Sequence, residues 1–153
     1  MRTLWILVAD AALARVLVQP AANAELEETE TLTDAAAHAQ RSDLRRDAYG
    51  RRGGGDLQRD GGNATSSAGD DELHREADLF ARRVADRLAE LHRKQGFEGL
   101  FVIAEPQFLG RLRQVLPEAV TAVVVGTSNK DLIHADLRTI RAHVAEQLPT
   151  RGA

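Results

Sequence analysis

Cysteine is absent from the 153-residue chain. That excludes disulfides, a thiol nucleophile and thiolate metal ligands, and makes the cytosol the natural compartment. Aromatic residues are scarce, at 4%. Tyr49 is the one aromatic near the basic part of the chain, too little for a base-stacking platform of the kind single-strand binders use. No apolar run approaches the roughly 18–20 residues of a membrane span. Arg2 followed by LWILVADAALA imitates a signal peptide, but Asp10 interrupts the apolar run and no polar cleavage region follows, so export is not expected. Chemical motifs are missing too. There is no GxSxG elbow, so a hydrolytic triad is not visible. The five histidines (His38, His74, His92, His134, His143) form no HxH or HExxH pair, and are read as surface or capping residues. Arg51-Arg52-Gly-Gly-Gly-Asp56 fits neither GxxxxGK[ST] nor GxGxxG, so no nucleotide cofactor is implied.

What is present is an ordered succession of elements. With 43% apolar and 28% charged residues and a net charge of −3, the chain has the composition of one ordinary soluble domain, spanning about residues 1–150. Three β-patterned runs come first: Thr3–Ala9, Leu13–Gln19 and roughly Glu25–Thr33, close enough to pair as an antiparallel meander. The first is apolar on both faces and should be central; the third carries alternating acids and suits an edge. Residues 35–70 lack apolar periodicity and hold seven of the twelve glycines, so Ala48–Gly69 is expected to be a mobile loop.

Order is expected to return at Asp70–Asp71, which can cap a helix whose stripe is Leu73, Ala77, Phe80, Val84, Leu88 and Leu91, stopped by Gly96. Leu100–Ala104 reads as a buried strand. Pro106 opens a helix with inner face Phe108, Leu109, Leu112, Val115 and Leu116, and Pro117 ends it. Val120–Val125 is the expected last strand, followed by a polar loop Gly126–Asp131 and a helix with face Leu137, Ile140, Val144 and Leu148. The order βββαβαβα predicts a single α/β domain with a mixed sheet flanked by helices. It is the topology of the ribonuclease-H-like fold and of the middle domain of archaeal and eukaryotic peptide-release factors.

Two constellations are candidates for function. Asp10, Glu72 or Glu76, and Glu105 occupy places where a ribonuclease-H-like nuclease would gather metal-binding carboxylates. Asp10 serves equally as a turn former or a partner of Arg15, and Glu105 as a favoured acid at a helix start. The second is electrostatic. Residues 16–40 hold five acids and no Lys or Arg, whereas 41–59 hold six arginines against three aspartates. Glycine backbone flanked by guanidiniums can contact RNA phosphates or an acidic protein surface.

The segments WILVADAALARVLV, HAQRSDLRRDAYGRRGGG, FARRVADRL, FVIAEPQFLGRLRQVL and KDLIHADLRTIRAHV, in this order across nearly the whole chain, resemble the bacterial host attachment family, "protein required for attachment to host cells". The resemblance implies a relative of the release-factor middle domain. It implies a ribosome-associated role in which a Gly-Gly-Gln loop would position water at a peptidyl-tRNA ester; this chain reads Gly53-Gly54-Gly55, with Gln58 three residues on. The family's loop corresponds to Ser42-Asp43 through Arg51-Arg52, and its closing motif to Lys130-Asp131-Leu132 with His134. The expected partner-binding set is therefore Arg41, Ser42, Asp43, Arg45, Arg46, Arg51, Arg52, Gly53, Gly54, Gly55, Lys130, Asp131 and His134. The expected function is that of a non-enzymatic cytosolic module, without cofactor or metal, that binds the ribosome, RNA or another protein. A release-factor-like peptidyl-tRNA hydrolase and a metal-dependent nuclease are the alternatives.

Overall fold

The structure, a computed structural model, describes residues 3–34 and 55–148, and of residues 55–68 and 70 the backbone alone. β1 (Leu4–Ala9), β2 (Leu13–Gln19) and β3 (Glu27–Thr33) form the antiparallel meander. After α1 (Gly55–Gln95), β4 (Leu100–Ala104) pairs parallel with β1. Then α2 (Pro106–Val115) and a four-residue helix α3 (Glu118–Thr121) lead to β5 (Val124–Ser128), parallel with β4, and α4 (Leu137–Gln147) follows. The five strands lie in the order β3-β2-β1-β4-β5. β1 is buried along its whole length, as its two apolar faces require.

Alternation along β1 divides the core in two. Trp5, Leu7 and Ala9 pack with Phe80, Val84 and Leu88 of α1, with Phe108 and Leu112 of α2 and with Val120 of α3. Leu4, Ile6 and Val8 pack with Leu17, Phe101, Ile133 and with Ile140 and Val144 of α4. The sheet is therefore sandwiched, with α1, α2 and α3 on one side and α4 on the other. Phe80 and Phe108 meet with centroids 5.8 Å apart, and Trp5 stacks on Phe97 at 5.1 Å. Each such buried side chain is worth about 1.5–3 kcal/mol. Gly96 ends α1 at φ 61°, a left-handed position that glycine takes without penalty, its amide donating to the His92 carbonyl.

Three boundaries differ from the sequence reading. Helical backbone begins at Gly55, so Asp70–Asp71 lie inside α1 and do not cap it; of the expected loop 48–69, residues 48–54 lie outside the described residues. Once the packed turns from Ala77 to Leu91 exist, extending them adds one hydrogen bond per residue and needs no new nucleus. The last strand starts at Val124, not Val120, because Glu118 after Pro117 begins another helical turn that buries Val120. Gly126–Ser128, expected in a loop, belong to that strand.

Both outer strands are bulged. Leu100 pairs with Val124 but Phe101 with Gly126, leaving Val125 extra and exposed. Val16 pairs with Glu30 but Leu17 with Glu28, so Thr29 is extra and its hydroxyl donates to the Val16 carbonyl at 3.1 Å. In a regular strand residues 28 and 30 would share a face. The bulge separates them: Glu28 pairs with Arg15 on the α4 side and Glu30 with Arg87 of α1 on the other. No helix among the described residues is long and apolar enough to cross a membrane.

Candidate functional site

The carboxyl ends of β1, β4 and β5 lie along one edge of the sheet, since Ala9 pairs with Ala104 and Ile103 with Ser128. The β1–β2 turn and the end of β3 share it, through Leu13 opposite Thr33. In open α/β sheets this is the edge where ligands gather. Asp10 Oδ1 accepts from the Ala12 and Leu13 amides, both at 2.8 Å, and builds the turn. Glu105 Oε1 accepts from the Phe108 amide at 2.7 Å and caps α2. Glu72 and Glu76 lie on α1, the former exposed and the latter half-buried. Among the described residues no three acids or histidines are gathered so as to hold a metal ion.

The loop from Asn129 to Asp136 crosses from β5 to α4, and its placement depends on Arg15. Arg15 Nη1 donates to the carbonyls of Ile133 at 3.0 Å and Ala135 at 2.8 Å, while Nε and Nη2 donate to Glu28 Oε1. Arg15 thus joins Glu28 and the closing loop, not Asp10 as weighed from the sequence. Its hydrogen bond, followed by that from Thr31, holds the Glu28 carboxyl below the usual carboxylate range. Ile133 is buried beneath the loop, and Asp136 caps α4 by accepting from the Thr139 amide at 2.8 Å. Side-chain and backbone bonding from Thr139 keep Asp136 ionised below its ordinary range. With the loop tied at both ends, Lys130, Asp131 and His134 are left exposed.

Of the sequence-predicted set, Lys130, Asp131 and His134 come together in this loop. Gly55 is the first residue of α1. Arg41, Ser42, Asp43, Arg45, Arg46, Arg51, Arg52, Gly53 and Gly54 lie outside the described residues. Their segment leaves β3 at Asp34, a buried residue whose amide donates to the Ala12 carbonyl at 2.9 Å on the same carboxyl edge.

One pair had no sequence signal. Ser128 Oγ, at the end of β5, lies 2.7 Å from His143 Nε2 on α4, fifteen residues on. Only the crossing of α4 over β5 brings them together. A hydroxyl against an imidazole nitrogen is the arrangement of nucleophile and base, but a triad also needs a group to orient the ring. No carboxylate among the described residues bonds His143, and Ser128 is 9% exposed. The pair ties α4 to β5, as Arg113 ties α2 to β5 from the other face by donating to Thr127 Oγ1 at 2.8 Å. No curated protein matches the chain. Residues 5–144 match the family described as "Protein required for attachment to host cells".

Proposed function

The chain belongs to the family of proteins required for attachment to host cells, and from that membership we propose that it is a cytoplasmic, non-enzymatic accessory module that engages the ribosome or RNA. The contact surface on this reading is the Arg- and Gly-rich segment 41–55 together with Lys130, Asp131 and His134. Host attachment is then a consequence of that role at one remove. The observation that carries the proposal is the Arg15 clamp. By holding the carbonyls of Ile133 and Ala135 it presents the exposed Lys130–His134 loop on the sheet edge from which the arginine-rich segment departs at Asp34. Two acids of that edge, Asp10 and Glu105, are engaged with backbone amides.

Co-sedimentation with ribosomes across a salt series tests this, using the parent and a variant with Arg45, Arg46, Arg51 and Arg52 changed to Ala. Binding that falls with salt and is lost in the variant is expected, because each neutralised phosphate releases counterions. Failure of the parent to bind at low salt refutes the translation-linked reading.

The strand order favours a second reading. A meander followed by two parallel strands, in the order β3-β2-β1-β4-β5, supports kinship with ribonuclease-H-like and release-factor middle domains, and with it hydrolysis of peptidyl-tRNA. Release of labelled peptide from peptidyl-tRNA on ribosomes by the parent would put this reading first. The nuclease alternative finds no support, since Asp10 and Glu105 have backbone partners.

A further inference from the structure

Among the described residues four arginines are half-buried: Arg15, Arg87, Arg111 and Arg141. Three of them are held by carboxylates, Arg15 by Glu28 at 2.8 Å, Arg87 by Glu30 at 2.7 Å and Arg111 by Asp78 at 2.6 Å. Arg141 is the exception, with no ion pair or hydrogen bond from its side chain among the described residues. The other three guanidiniums are matched by carboxylates within the fold, whereas that of Arg141, on the lining of an open groove, is left to take its counter-charge from solution.

Arg141 lines a groove of about 280 Å³ with Arg138, Leu137, Glu25 and Leu26. Arg138 and Arg141 stand three residues apart on α4 and so share a face, a spacing at which two guanidiniums can grip one anion. Leu26, 5% exposed, and the partly buried Leu137 supply an apolar floor. The nearest helix-start acid, Asp136, is already engaged in capping Thr139. Glu25 forms the far wall and makes no ion pair with either arginine. One wall of the groove lies away from the carboxyl edge, since Glu25 and Leu26 precede β3, whose first residue pairs with Val18 near the end of β2, at the amino ends of the parallel strands; the other, Leu137 and Arg138, directly follows the closing loop.

We propose that this groove is a binding site for a small ligand that carries a phosphate or similar oxyanion on a compact apolar body. The anion sits between Arg138 and Arg141, and the body lies on Leu26 and Leu137. Its volume is at the lower end of small-molecule sites, roughly 300–1,000 Å³, which suits a monophosphate ester and not a dinucleotide. The site is independent of the ribosome-binding proposal and stands or falls without it.

The test is a titration of the full chain, followed by backbone amide resonances, with phenyl phosphate as probe and with inorganic phosphate and phenol as its two halves. Phenyl phosphate is expected to shift Leu26, Leu137, Arg138 and Arg141 saturably, and to bind several-fold more tightly than inorganic phosphate, with phenol inactive. R141Q should weaken it roughly tenfold, about 1.4 kcal/mol. R141K, which keeps the charge but not the fork, should fall between, and R75Q, on exposed α1 surface, should match the parent. Absence of saturable shifts in the parent overturns the proposal whatever the variants do. So do equal affinities in the parent and R141Q, or shifts scattered over unrelated arginines.

Discussion

Replacing Arg15 by Met keeps the apolar stem of the side chain and removes the guanidinium on which the closing loop depends. The Arg15–Glu28 pair, with the Glu28 side chain 34% exposed, contributes at most about 1 kcal/mol after screening by solvent. The two half-buried carbonyls of Ile133 and Ala135 lose charged donors at 3.0 and 2.8 Å, each worth about 1–1.5 kcal/mol once water replaces part of the interaction. The total loss is about 2–4 kcal/mol, which for a chain of this size lowers Tm by on the order of 10 °C. Urea denaturation gives the global value, and amide exchange shows where it falls: residues 132–136 should lose protection before the sheet does. Arg15→Lys should recover only part, because an ammonium lacks the planar fork that reaches Glu28 and the carbonyls together. A methionine variant within about 0.5 kcal/mol of the parent, with unchanged exchange in that loop, would refute the reasoning.

Gly126→Ala should destabilise by about 1–3 kcal/mol, because its Cβ would sit 2.7 Å from Cε1 of the buried Phe101 ring. Phe101→Leu in the same chain should make the added methyl less costly than it is alone, a coupling that a double-mutant cycle in urea would read. Hydrogen bonds from Arg15 and Arg87 respectively lower the carboxyl groups of Glu28 and Glu30 below their ordinary 4.5 in the folded state. Their stabilisation is therefore complete above that value and lost as pH falls through the depressed folded values; Arg87→Met should flatten the acid decline of stability in a pH series. Ser128→Ala should cost about 1 kcal/mol by freeing His143, and should leave ribosome co-sedimentation intact, since the pair joins α4 to β5.

How far the sequence could be read depended on whether its signal was periodic. β1 declared itself by apolar residues on both faces, and the inner faces of α2 and α4 by their spacing; Phe108, Leu112, Ile140 and Val144 are all buried as expected. α3 could not be seen, because one helical turn has no periodicity and Val120–Val125, apolar but for Thr121, is a short stretch in which helix and strand look alike. Glycines at 61, 62 and 69 argued against helix through propensity, a weak preference that continuation of an established helix overrides. At the candidate site, Lys130, Asp131 and His134 were singled out through the family resemblance. The partners that position them were not, because Arg15 is 118 residues from Ile133 and no local pattern encodes that distance. The same holds for Ser128 with His143, and for Arg141, whose lack of a partner among the described residues is a matter of which side chains the fold brings near it.

The extra residue at Thr29 gives β3 a property that a regular strand would lack. Its two acids engage opposite helical layers, Glu28 through Arg15 with the loop before α4 and Glu30 through Arg87 with α1. A slip of the strand by one residue would exchange the faces of both acids at once, leaving Arg15 without its carboxylate and Arg87 with Glu90 alone. The edge is therefore locked like a key cut on both sides: only one alignment satisfies both wards. The helical layers on the two sides of the sheet are kept in step by the strand that contributes no fully buried residue to the core.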